Sequence, residues 1–180
     1  MEHDFIIENE ILQLRPLSIQ DIEKLRQWRN HPEIRKWFIT QITISKDQQL
    51  QWYTNYLKKE NDYVFVIVEK NSKKDIGTVS LYDIDLAKGQ ARAGRLIIGE
   101  EQAKGKKYGL MAYRLLINFG FNTLNLKMFH EEVLETNEAS INMLIRCGFK
   151  LMEHYKEKGV PVIKIVLPRE MFRKIDSIIE

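Results

Sequence analysis

One segment constrains the fold of this chain more than any other: a short apolar strand, a polar loop and a long apolar helix follow one another without interruption. The strand ends with residues 95–98, the loop covers residues 99–107, and apolar side chains recur at helical spacing from Tyr108 to Phe121. The first N–H groups of a helix have no partner within the helix. Because the loop brings them to the end of the strand, this turn predicts a binding site for an anion.

The loop is rich in lysine, with Lys104, Lys106 and Lys107 in four consecutive positions. Each cation at a helix N-terminus opposes the helix macrodipole by about 0.3–1 kcal/mol, a cost that a bound anion would offset. A solvated basic loop is the alternative, and these residues alone do not decide between the two. The loop has neither the Gly-Lys-Ser/Thr sequence of a Walker A motif nor a Gly-x-Gly-x-x-Gly sequence. A nucleoside triphosphate or a dinucleotide is therefore a poor candidate ligand.

The other hydrophobic patterns predict an α/β fold of the α+β kind. Residues 62–69 are apolar at consecutive positions, as in a central strand covered on both faces. Ser18 and Ser45 are candidate caps for two early helices, and Pro32 ends the first of them. The predicted order is β-α-α-β-β-β-α-β-α-β-β, a mixed sheet with helices on it. We expect a single domain over residues 1–180.

Composition excludes several functional classes. The chain carries 28 Lys+Arg and 25 Asp+Glu, a net charge of +3 that is too small to predict a nucleic-acid or membrane partner. A single cysteine, Cys147, excludes an intramolecular disulfide, and no histidine pair has the spacing of metal ligands. The acidic N-terminus does not resemble a signal peptide, and the longest apolar run, Val64–Val68, is too short to span a bilayer. We therefore expect a cytoplasmic protein without a metal.

A second informative segment runs from residue 133 to residue 149. Asn137 is a candidate N-cap for the helix that follows it, and Gly148 is a candidate C-cap. Taken by itself, this segment favours a structural reading over a functional one.

The two segments together resemble the GNAT superfamily of acetyltransferases. The likeness begins at residues 76–81, passes through the lysine-rich loop and ends at Cys147-Gly148-Phe149, with about 28 residues between Gly109 and Asn137. It implies a mixed, mostly antiparallel sheet of seven strands with about four helices on its two faces and a V-shaped splay between the central strands. Residues 28–37 are similar to the branch that holds ribosomal-protein N-terminal acetyltransferases and nucleotide-amino-sugar N-acetyltransferases, the pseudaminic-acid-pathway type above all.

The resemblance implies acetyl-CoA as the acetyl donor. Its pantetheine arm would lie along the splayed strand, and its pyrophosphate would lie against the loop and the helix N-terminus. One departure from the family pattern is Lys107, which stands where the superfamily has its first glycine. We expect a side chain there to crowd the cofactor or to restrict the turn to negative φ. Its ammonium would compensate by lying near the phosphates, so we expect CoA binding to survive. The implied cofactor-binding residues are Ile97, Ile98, Gly99, Lys104, Gly105, Lys106, Lys107, Tyr108, Gly109 and Asn137.

Acetyl transfer to an amine requires a neutral nucleophile, stabilisation of the thioester oxygen and a proton for the leaving thiolate. A backbone N–H at Ile97 or Ile98 would stabilise the oxygen. Many family members supply the proton from a tyrosine, but this chain has Leu144 at that position. We predict that Ser140 takes the place of this tyrosine. The alternative is that Ser140 is only a small residue that packs against the cofactor.

The general base is harder to assign from the sequence. Relatives often carry a glutamate two residues before the strand glycine, and this chain has Arg92 there. Glu132 and Asp83 are the candidates, of which Glu132 is the predicted catalytic residue. Solvated carboxylates and a water chain that takes up the proton are the alternatives.

The acceptor amine would bind near the first two predicted helices. Aromatic and cationic residues gather there between Trp28 and Phe38, a combination that suits a nucleobase, a sugar and a diphosphate. The alternative is that Trp28 is a core residue and that the cations are solvated. The predicted substrate residues are Arg29, Asn30, His31, Trp37, Tyr82 and Asp83.

The sequence thus predicts an acetyl-CoA-dependent N-acetyltransferase that acts by direct attack, most simply on the 4-amino group of a nucleotide-linked amino sugar. A protein N-terminus, a polyamine or another small amine is the alternative acceptor. A CoA-binding module without catalysis is a third reading, since the usual tyrosine and glutamate are missing. The apolar strand at residues 162–167 is compatible with a homodimer and equally with a covered sheet edge.

Overall fold

The computed structural model describes residues 3–176, with side chains through residue 172. Its centre is an eight-stranded sheet in the order β1-β2-β3-β4-β5-β6-β8-β7. Every neighbouring pair is antiparallel except β5 and β6, which are parallel. The strands are β1 (Ile7–Glu8), β2 (Leu12–Pro16), β3 (Asp62–Glu69), β4 (Lys74–Asp85), β5 (Gln90–Ile98), β6 (Met128–Leu134), β7 (Lys150–Glu157) and β8 (Val160–Pro168).

Helices cover both faces of this sheet, as predicted. The described residues contain six α-helices and two short 3-10 turns, at Ile19–Asp21 and Glu101–Ala103. Among residues 3–176, no helix is both long enough and apolar enough to cross a membrane. The helices are α1 (Ile22–Asn30), α2 (Pro32–Arg35), α3 (Lys46–Tyr56), α4 (Tyr108–Asn122), α5 (Glu138–Arg146) and α6 (Arg169–Asp176).

The predicted mixed sheet is confirmed, and the differences lie in its smallest elements. The extra strand β1 has two residues, which is too short for an alternating pattern to show. Pro32 ends α1 as expected but also begins α2, because proline is tolerated in the first turn of a helix, where its missing N–H is not needed. The predicted cap Ser45 starts α3, where it forms a capping box with Gln48.

Two hydrophobic cores hold the layers together. On one face of the sheet, α4 packs against alternate residues of the central strands, among them Phe65 and Ile67 of β3. On the other face, α1 and α3 pack against Val64 and Val66 of the same strand. This confirms that β3 is covered on both sides. Trp28 is buried in the second core, which agrees with the alternative interpretation of Trp28 as a core residue.

The central strands diverge at one place. The pairing of β5 with β6 ends at Arg92 and His130, although both strands continue for several residues beyond that pair. On the other side of β5 a bulge interrupts the pairing with β4, and Arg95 within it adopts φ +51°. A bulge strengthens the local twist of a strand. The predicted V-shaped splay is thus formed by the C-terminal halves of β5 and β6.

Candidate active site

A cavity of about 560 Å³ opens between the diverging halves of β5 and β6. We call it the cleft. Its walls come from both strands, from the start of α5 and from the segment after α2. It brings together these residues of the predicted sites: Arg29, Trp37, Tyr82, Ile97, Ile98, Glu132, Asn137 and Ser140. Residues that are about 100 positions apart in the chain therefore share one space.

The predicted phosphate turn lies at the start of α4, outside the lining of the cleft. No side chain caps this helix, and its first turn holds no acidic residue. Its first N–H groups are therefore left for a ligand or for water. Gly109 packs against the strand, since a Cβ there would lie 3.3 Å from Leu96 and 3.6 Å from Ile98. The N-terminus of α4 thus adjoins the splayed end of β5, as an anion site continuous with the cleft requires.

The lysines of this turn differ in their surroundings. Lys104 pairs with Glu101 at 2.5 Å, so its charge is already balanced. The Lys106 ammonium lies 5.9 Å from the ring centre of Tyr108, whose hydroxyl donates to Glu69 at 2.9 Å. Within the part of the chain that the structure describes, neither Lys106 nor Lys107 forms an ion pair.

The expectation for the backbone of Lys107 is wrong. Its φ is +61°, so the turn keeps the left-handed conformation that a glycine would favour. A non-glycine residue in that region costs about 1–2 kcal/mol, which the surrounding turn must offset. Gly105 is also left-handed at φ +76°, with no atom within 4 Å of the place that a Cβ would occupy. The loop therefore keeps a glycine-like conformation although residue 107 is a lysine.

Gly99 is predicted to contact the cofactor, which stays a prediction, and the structure gives it a packing role as well. A Cβ at this position would lie 2.1 Å from the indole ring of Trp28. Glycine is therefore needed for α1 to approach the end of β5. Gly99 does not line the cleft.

A buried carboxylate that the sequence analysis did not single out stands at the vertex of the splay. Glu131 is the first residue of β6 beyond its last pair with β5, and its side chain is 10% exposed. It accepts hydrogen bonds from the Tyr82 hydroxyl at 2.6 Å and from Nη2 of Arg92 at 2.7 Å. Burial raises the pKa of Glu131 above its ordinary value, and it raises the pKa of Tyr82 as well.

The alternating apolar pattern of β6 could have identified Glu131 from the sequence. Phe129 and Val133 are inward-facing apolar positions, and Glu131 lies between them at period two. A charged residue at an inward position of a half-buried strand is uncommon and needs a partner. Arg92, which replaces the carboxylate expected on β5, is that partner.

Glu132, the predicted base, also lines the cleft. Nη2 of Arg92 donates to it as well as to Glu131, so two carboxylates share one guanidinium. Burial and the proximity of Glu132 raise the pKa of Tyr155 to about 12. The catalytic role of Glu132 stays a prediction.

Asp83 lies outside the cleft lining. Its side chain is 62% exposed, its backbone is left-handed at φ +51°, and its carboxylate is 3.9 Å from Arg92. The exposure favours the alternative of a solvated carboxylate, because the strand turns outward at this residue.

Two arginines line both the cleft and a second cavity of about 500 Å³ that lies under α1 and α3. Arg95 binds both oxygens of Asp62 at 2.8 and 2.9 Å and stacks 3.8 Å from the centre of the Tyr82 ring. Arg29 stacks 3.4 Å from the centre of the Phe38 ring and donates from Nη2 to the Thr40 carbonyl.

Nη1 of Arg29 differs from the rest of this group, because it is buried and has no hydrogen-bond partner among the described residues. Burial and the nearby charge of Arg35 lower the pKa of Arg29 to about 10, so the group remains cationic at neutral pH. A buried donor without a partner is costly, and a bound acceptor would remove that cost.

Asn30 and His31 are predicted to bind substrate, and neither lines the cleft or the second cavity. The Asn30 amide exchanges two hydrogen bonds of 2.8 Å with the backbone of Ile44, which ties down the segment before α3. His31 is exposed, and its ring accepts from the backbone N–H of Glu33 at the start of α2. These bonds give both side chains a structural role, and their predicted contact with the substrate stays a prediction.

The start of α5 forms the far wall of the cleft. The Asn137 side chain accepts from the Ser140 N–H at 3.1 Å, which confirms the predicted N-cap. The partly exposed Ser140 side chain lines the cleft, and Leu144 is buried below it. Tyr113 also lines the cleft, but its hydroxyl donates to the Ala93 carbonyl. Ser140 is therefore the hydroxyl of this wall that has no such bond within the described chain.

The described residues contain no group of three His, Cys, Asp or Glu side chains that could hold a metal ion. The sequence model of the acetyltransferase (GNAT) domain matches residues 12–150. The chain belongs to the GNAT acetyltransferase family. It is accordingly an N-acetyltransferase, with the mixed sheet and the splay described above.

Individual relatives agree with this assignment. The chain is 31% identical over 157 residues to the uncharacterized N-acetyltransferase p20 of Bacillus licheniformis, covering 83% of this GNAT chain and 87% of that protein. It is 26% identical to the uncharacterized protein MJ1062 of Methanocaldococcus jannaschii, of which it spans only 29%.

Solved structures show the same fold at low sequence identity. The spermidine N-acetyltransferase of Vibrio cholerae, in complex with CoA and spermine, superposes with a TM-score of 0.81 at 20% identity, covering 92% of this GNAT chain and 99% of that one. The nucleotide-linked sugar GNAT FdhC also has a TM-score of 0.81, at 23% identity, with 96% and 94% covered. These two proteins take different acceptors, so the fold does not choose between them.

Proposed function

We propose that this N-acetyltransferase transfers the acetyl group of acetyl-CoA directly to the 4-amino group of a nucleotide-linked amino sugar. The observation that carries the proposal is Arg29, whose side chain lines both cavities and whose buried Nη1 lacks a partner among the described residues. An anionic oxygen would satisfy it in a charge-assisted hydrogen bond. A diphosphate is the anion that such an acceptor carries next to its sugar.

The charges of the two cavities support an anionic acceptor. Arg29 and Arg95 line the second cavity, and no carboxylate of the described chain does. Arg95 is paired with Asp62, so Arg29 is the cation that supports an anionic acceptor. In the cleft, the two glutamates share one cation, Arg92. A polyamine is a multiple cation, which would bring more positive charge beside these arginines.

The walls of the second cavity suit the remainder of a nucleotide. Phe38 and Trp52 provide aromatic surface, and Gln49, Thr78 and Ser80 provide polar groups among apolar neighbours. Small-molecule sites commonly combine a mostly apolar wall with a few polar groups that orient the ligand. The amine would then reach the cleft while the nucleobase stays under α3.

The donor would bind along the other side of the splay. Ile97 and Ile98 line the cleft, and the uncapped start of α4 offers backbone N–H groups together with Lys106 and Lys107. We propose that these groups hold the pantetheine and the pyrophosphate, and that Ser140 orients or protonates the sulfur. Gly105, Tyr108 and Gly109 belong to the same turn as backbone contributors.

A polyamine is the second candidate acceptor, and two observations favour it. The cleft holds the carboxylates of Glu131 and Glu132, and the Vibrio cholerae structure with the same fold contains spermine. A protein N-terminus is the third acceptor class, and the experiment below includes it.

The test is a screen of acetyl-CoA consumption over amino-sugar nucleotides, polyamines and N-terminal peptides. We expect turnover with an amino-sugar nucleotide and inhibition by the matching nucleoside diphosphate. Arg29→Ala should raise the KM for this acceptor about 10–100-fold, the range for one lost charge-assisted hydrogen bond, and leave the KM for acetyl-CoA unchanged.

Arg26→Ala is the matched control for this variant. Arg26 lies on the same helix, pairs with Glu23 and lines neither cavity. It also donates to the Ile44 carbonyl, which keeps its bond from Asn30 in the variant, so loss of Arg26 should not change the KM for the acceptor. Turnover with polyamines alone, insensitive to Arg29→Ala, would contradict the nucleotide-sugar proposal.

A further inference from the structure

The two adjacent glutamates of β6 occupy different environments. Glu131 stands at the vertex of the splay, with Tyr82 and Gly94 around it. Glu132 is the next residue of the strand and is the more exposed of the two side chains, at 15% against 10%. Alternate residues of a strand point to opposite faces. A shift of β6 by one residue would therefore place Glu132 at the vertex in place of Glu131.

Gly94 makes room for the Glu131 carboxylate. A Cβ at position 94 would lie 2.4 Å from Oε2 of Glu131 and 3.0 Å from its carboxyl carbon. Contacts this short do not occur, so any other residue at 94 would displace the carboxylate. The vertex therefore holds the carboxylate directly against the backbone of the strand that lines the cleft.

Hydrogen bonds hold the carboxylate in one orientation. Its Oε1 accepts from Arg92 and from the backbone N–H of Glu132 at 2.9 Å. Its Oε2 accepts from the Tyr82 hydroxyl alone among the described residues. An ionised carboxylate oxygen can accept more than one such bond, so Oε2 keeps an acceptor position.

We propose that Glu131 is the general base of acetyl transfer, and that it takes over the role which the arginine at position 92 cannot perform. The proposal rests on the proposed function in requiring an amine acceptor, and it holds for any acceptor class. Tyr82 and Arg92 are positioning residues, because they act on the carboxylate and not on the amine.

Atoms and electrons balance in the proposed step. The amine nitrogen attacks the thioester carbon, a C–N bond forms, and one N–H proton passes to Oε2 of Glu131. The C–S bond then breaks and its electron pair leaves with the sulfur of CoA. The proton that Glu131 has accepted returns through solvent, and the sulfur gains one proton, so the products are the amide and free CoA.

Charged and titratable groups surround Glu131 from every neighbouring element. The cation that faces Glu131 is Arg92, which lowers the pKa of this carboxyl. Burial acts in the opposite direction and raises that pKa, because it favours the neutral carboxyl. A pH profile measured on this site must be interpreted with all of the groups that couple to it or to its partners. They are Tyr82 and Asp83 of β4, Arg92 and Arg95 of β5, Tyr113 of α4, His130 and Glu132 of β6, Tyr155 of β7 and Lys164 of β8.

Glu131→Gln and Glu132→Gln form a matched pair for the test, since each neutralises one carboxylate bound to Arg92. With the best acceptor of the screen, Glu131→Gln should lower kcat about 100-fold or more, the usual contribution of a general base, and remove the acid limb of the pH–rate profile. Glu132→Gln should lower kcat much less than Glu131→Gln and should retain an acid limb, moved to lower pH because Arg92 is then paired with Glu131 alone. The reverse pattern would overturn the proposal and make Glu132 the base.

Tyr82→Phe is the second variant, in case Glu131→Gln folds poorly. It removes a hydrogen bond to the ionised carboxylate, so the acid limb should move to higher pH while catalysis persists at its upper end. A merely structural role for Glu131 predicts a lower Tm with no shift of the limb.

A measurement without any acceptor separates this proposal from the proposed function. Nuclear magnetic resonance of the enzyme with ¹³C-labelled glutamate carboxyls should show a resonance, absent in Glu131→Gln, that titrates above the ordinary glutamate pKa. A Glu131 pKa that does not match the acid limb of the kcat/KM profile would overturn the assignment whatever the acceptor is. Failure of the acceptor screen alone would count against the nucleotide sugar and not against Glu131.

Discussion

The Glu131 carboxylate occupies the space that a side chain at position 94 would need, with 2.4 Å between its Oε2 and the place of that Cβ. Two strands that are separating at this point are thus still connected by one buried polar group. The contact makes the glycine of β5 and the glutamate of β6 a single unit of the active site.

Gly94→Ala should therefore impair catalysis and stability together. Forcing one methyl group into packed surroundings costs about 1–3 kcal/mol of unfolding free energy. We expect kcat to fall more than the acetyl-CoA affinity, because the base moves and the donor site does not. Urea unfolding and steady-state kinetics check both parts. Adding Glu131→Asp, which shortens the side chain, should relieve part of the stability loss, and additive losses would argue against the contact.

Arg92→Met should raise the pH at which activity is lost on acidification. Arg92 is the cation that faces Glu131 and lowers its pKa, so its removal raises the pKa of that carboxyl. A base must be ionised, and its activity therefore disappears at a higher pH when its pKa is higher. The pH–rate profile checks this, and an unmoved acid limb would contradict it. Unpaired carboxylates also destabilise the fold by about 2–3 kcal/mol at neutral pH, below the range for fully buried pairs because these are partly exposed.

Lys107→Gly should stabilise the loop and weaken acetyl-CoA binding. Glycine adopts φ +61° without the cost that lysine bears, so the unfolding free energy should rise by up to about 1 kcal/mol, less the entropy that glycine adds to the unfolded chain. Loss of the ammonium should raise the Kd for acetyl-CoA severalfold, an effect that high salt reduces. Calorimetry measures the affinity and thermal unfolding the stability.

Lys106→Gly is the control for that variant. It removes the same charge from a residue that is not among those with positive φ. We expect the same direction of change in affinity but a loss of stability. Equal stability changes in the two variants would contradict the role of the left-handed turn.

Asn30→Ala should destabilise the protein by about 1–3 kcal/mol, because the Ile44 N–H loses its partner and the Ile44 carbonyl keeps only its bond from Arg26. His31→Ala removes one contact at the exposed start of α2 and should cost less than about 1 kcal/mol. Thermal unfolding ranks the two. A direct substrate role for Asn30 would instead appear as a higher KM for the acceptor with no change in stability.

Cys147→Ala should retain kcat within about threefold. Burial raises the pKa of its thiol to about 11, so at neutral pH it is protonated and unreactive. Acetyl transfer by direct attack needs no acetyl-cysteine, and the kinetics should show intersecting lines for the two substrates. Parallel lines, or inactivation by iodoacetamide at pH 7, would indicate a covalent intermediate on this residue.

Contiguous residues determined the features that depend on short-range chemistry. The strand, loop and helix of residues 95–121, the Asn137 cap and the two-sided burial of β3 follow from periodicity and local hydrogen bonding, and the structure has all three. Backbone propensity and capping act over a few residues, so they can be recognised in the chain itself.

Only the tertiary structure decided which groups meet in the cleft. The choice between Glu131 and Glu132 depends on a register of one residue in β6, and a one-residue shift exchanges the faces of a strand. The binding of Arg95 to Asp62, the unsatisfied Nη1 of Arg29 and the capture of Asn30 by Ile44 join residues that no local pattern relates. Such pairings arise from packing between distant segments, and their energies depend on burial that exists only once the sheet and helices have assembled.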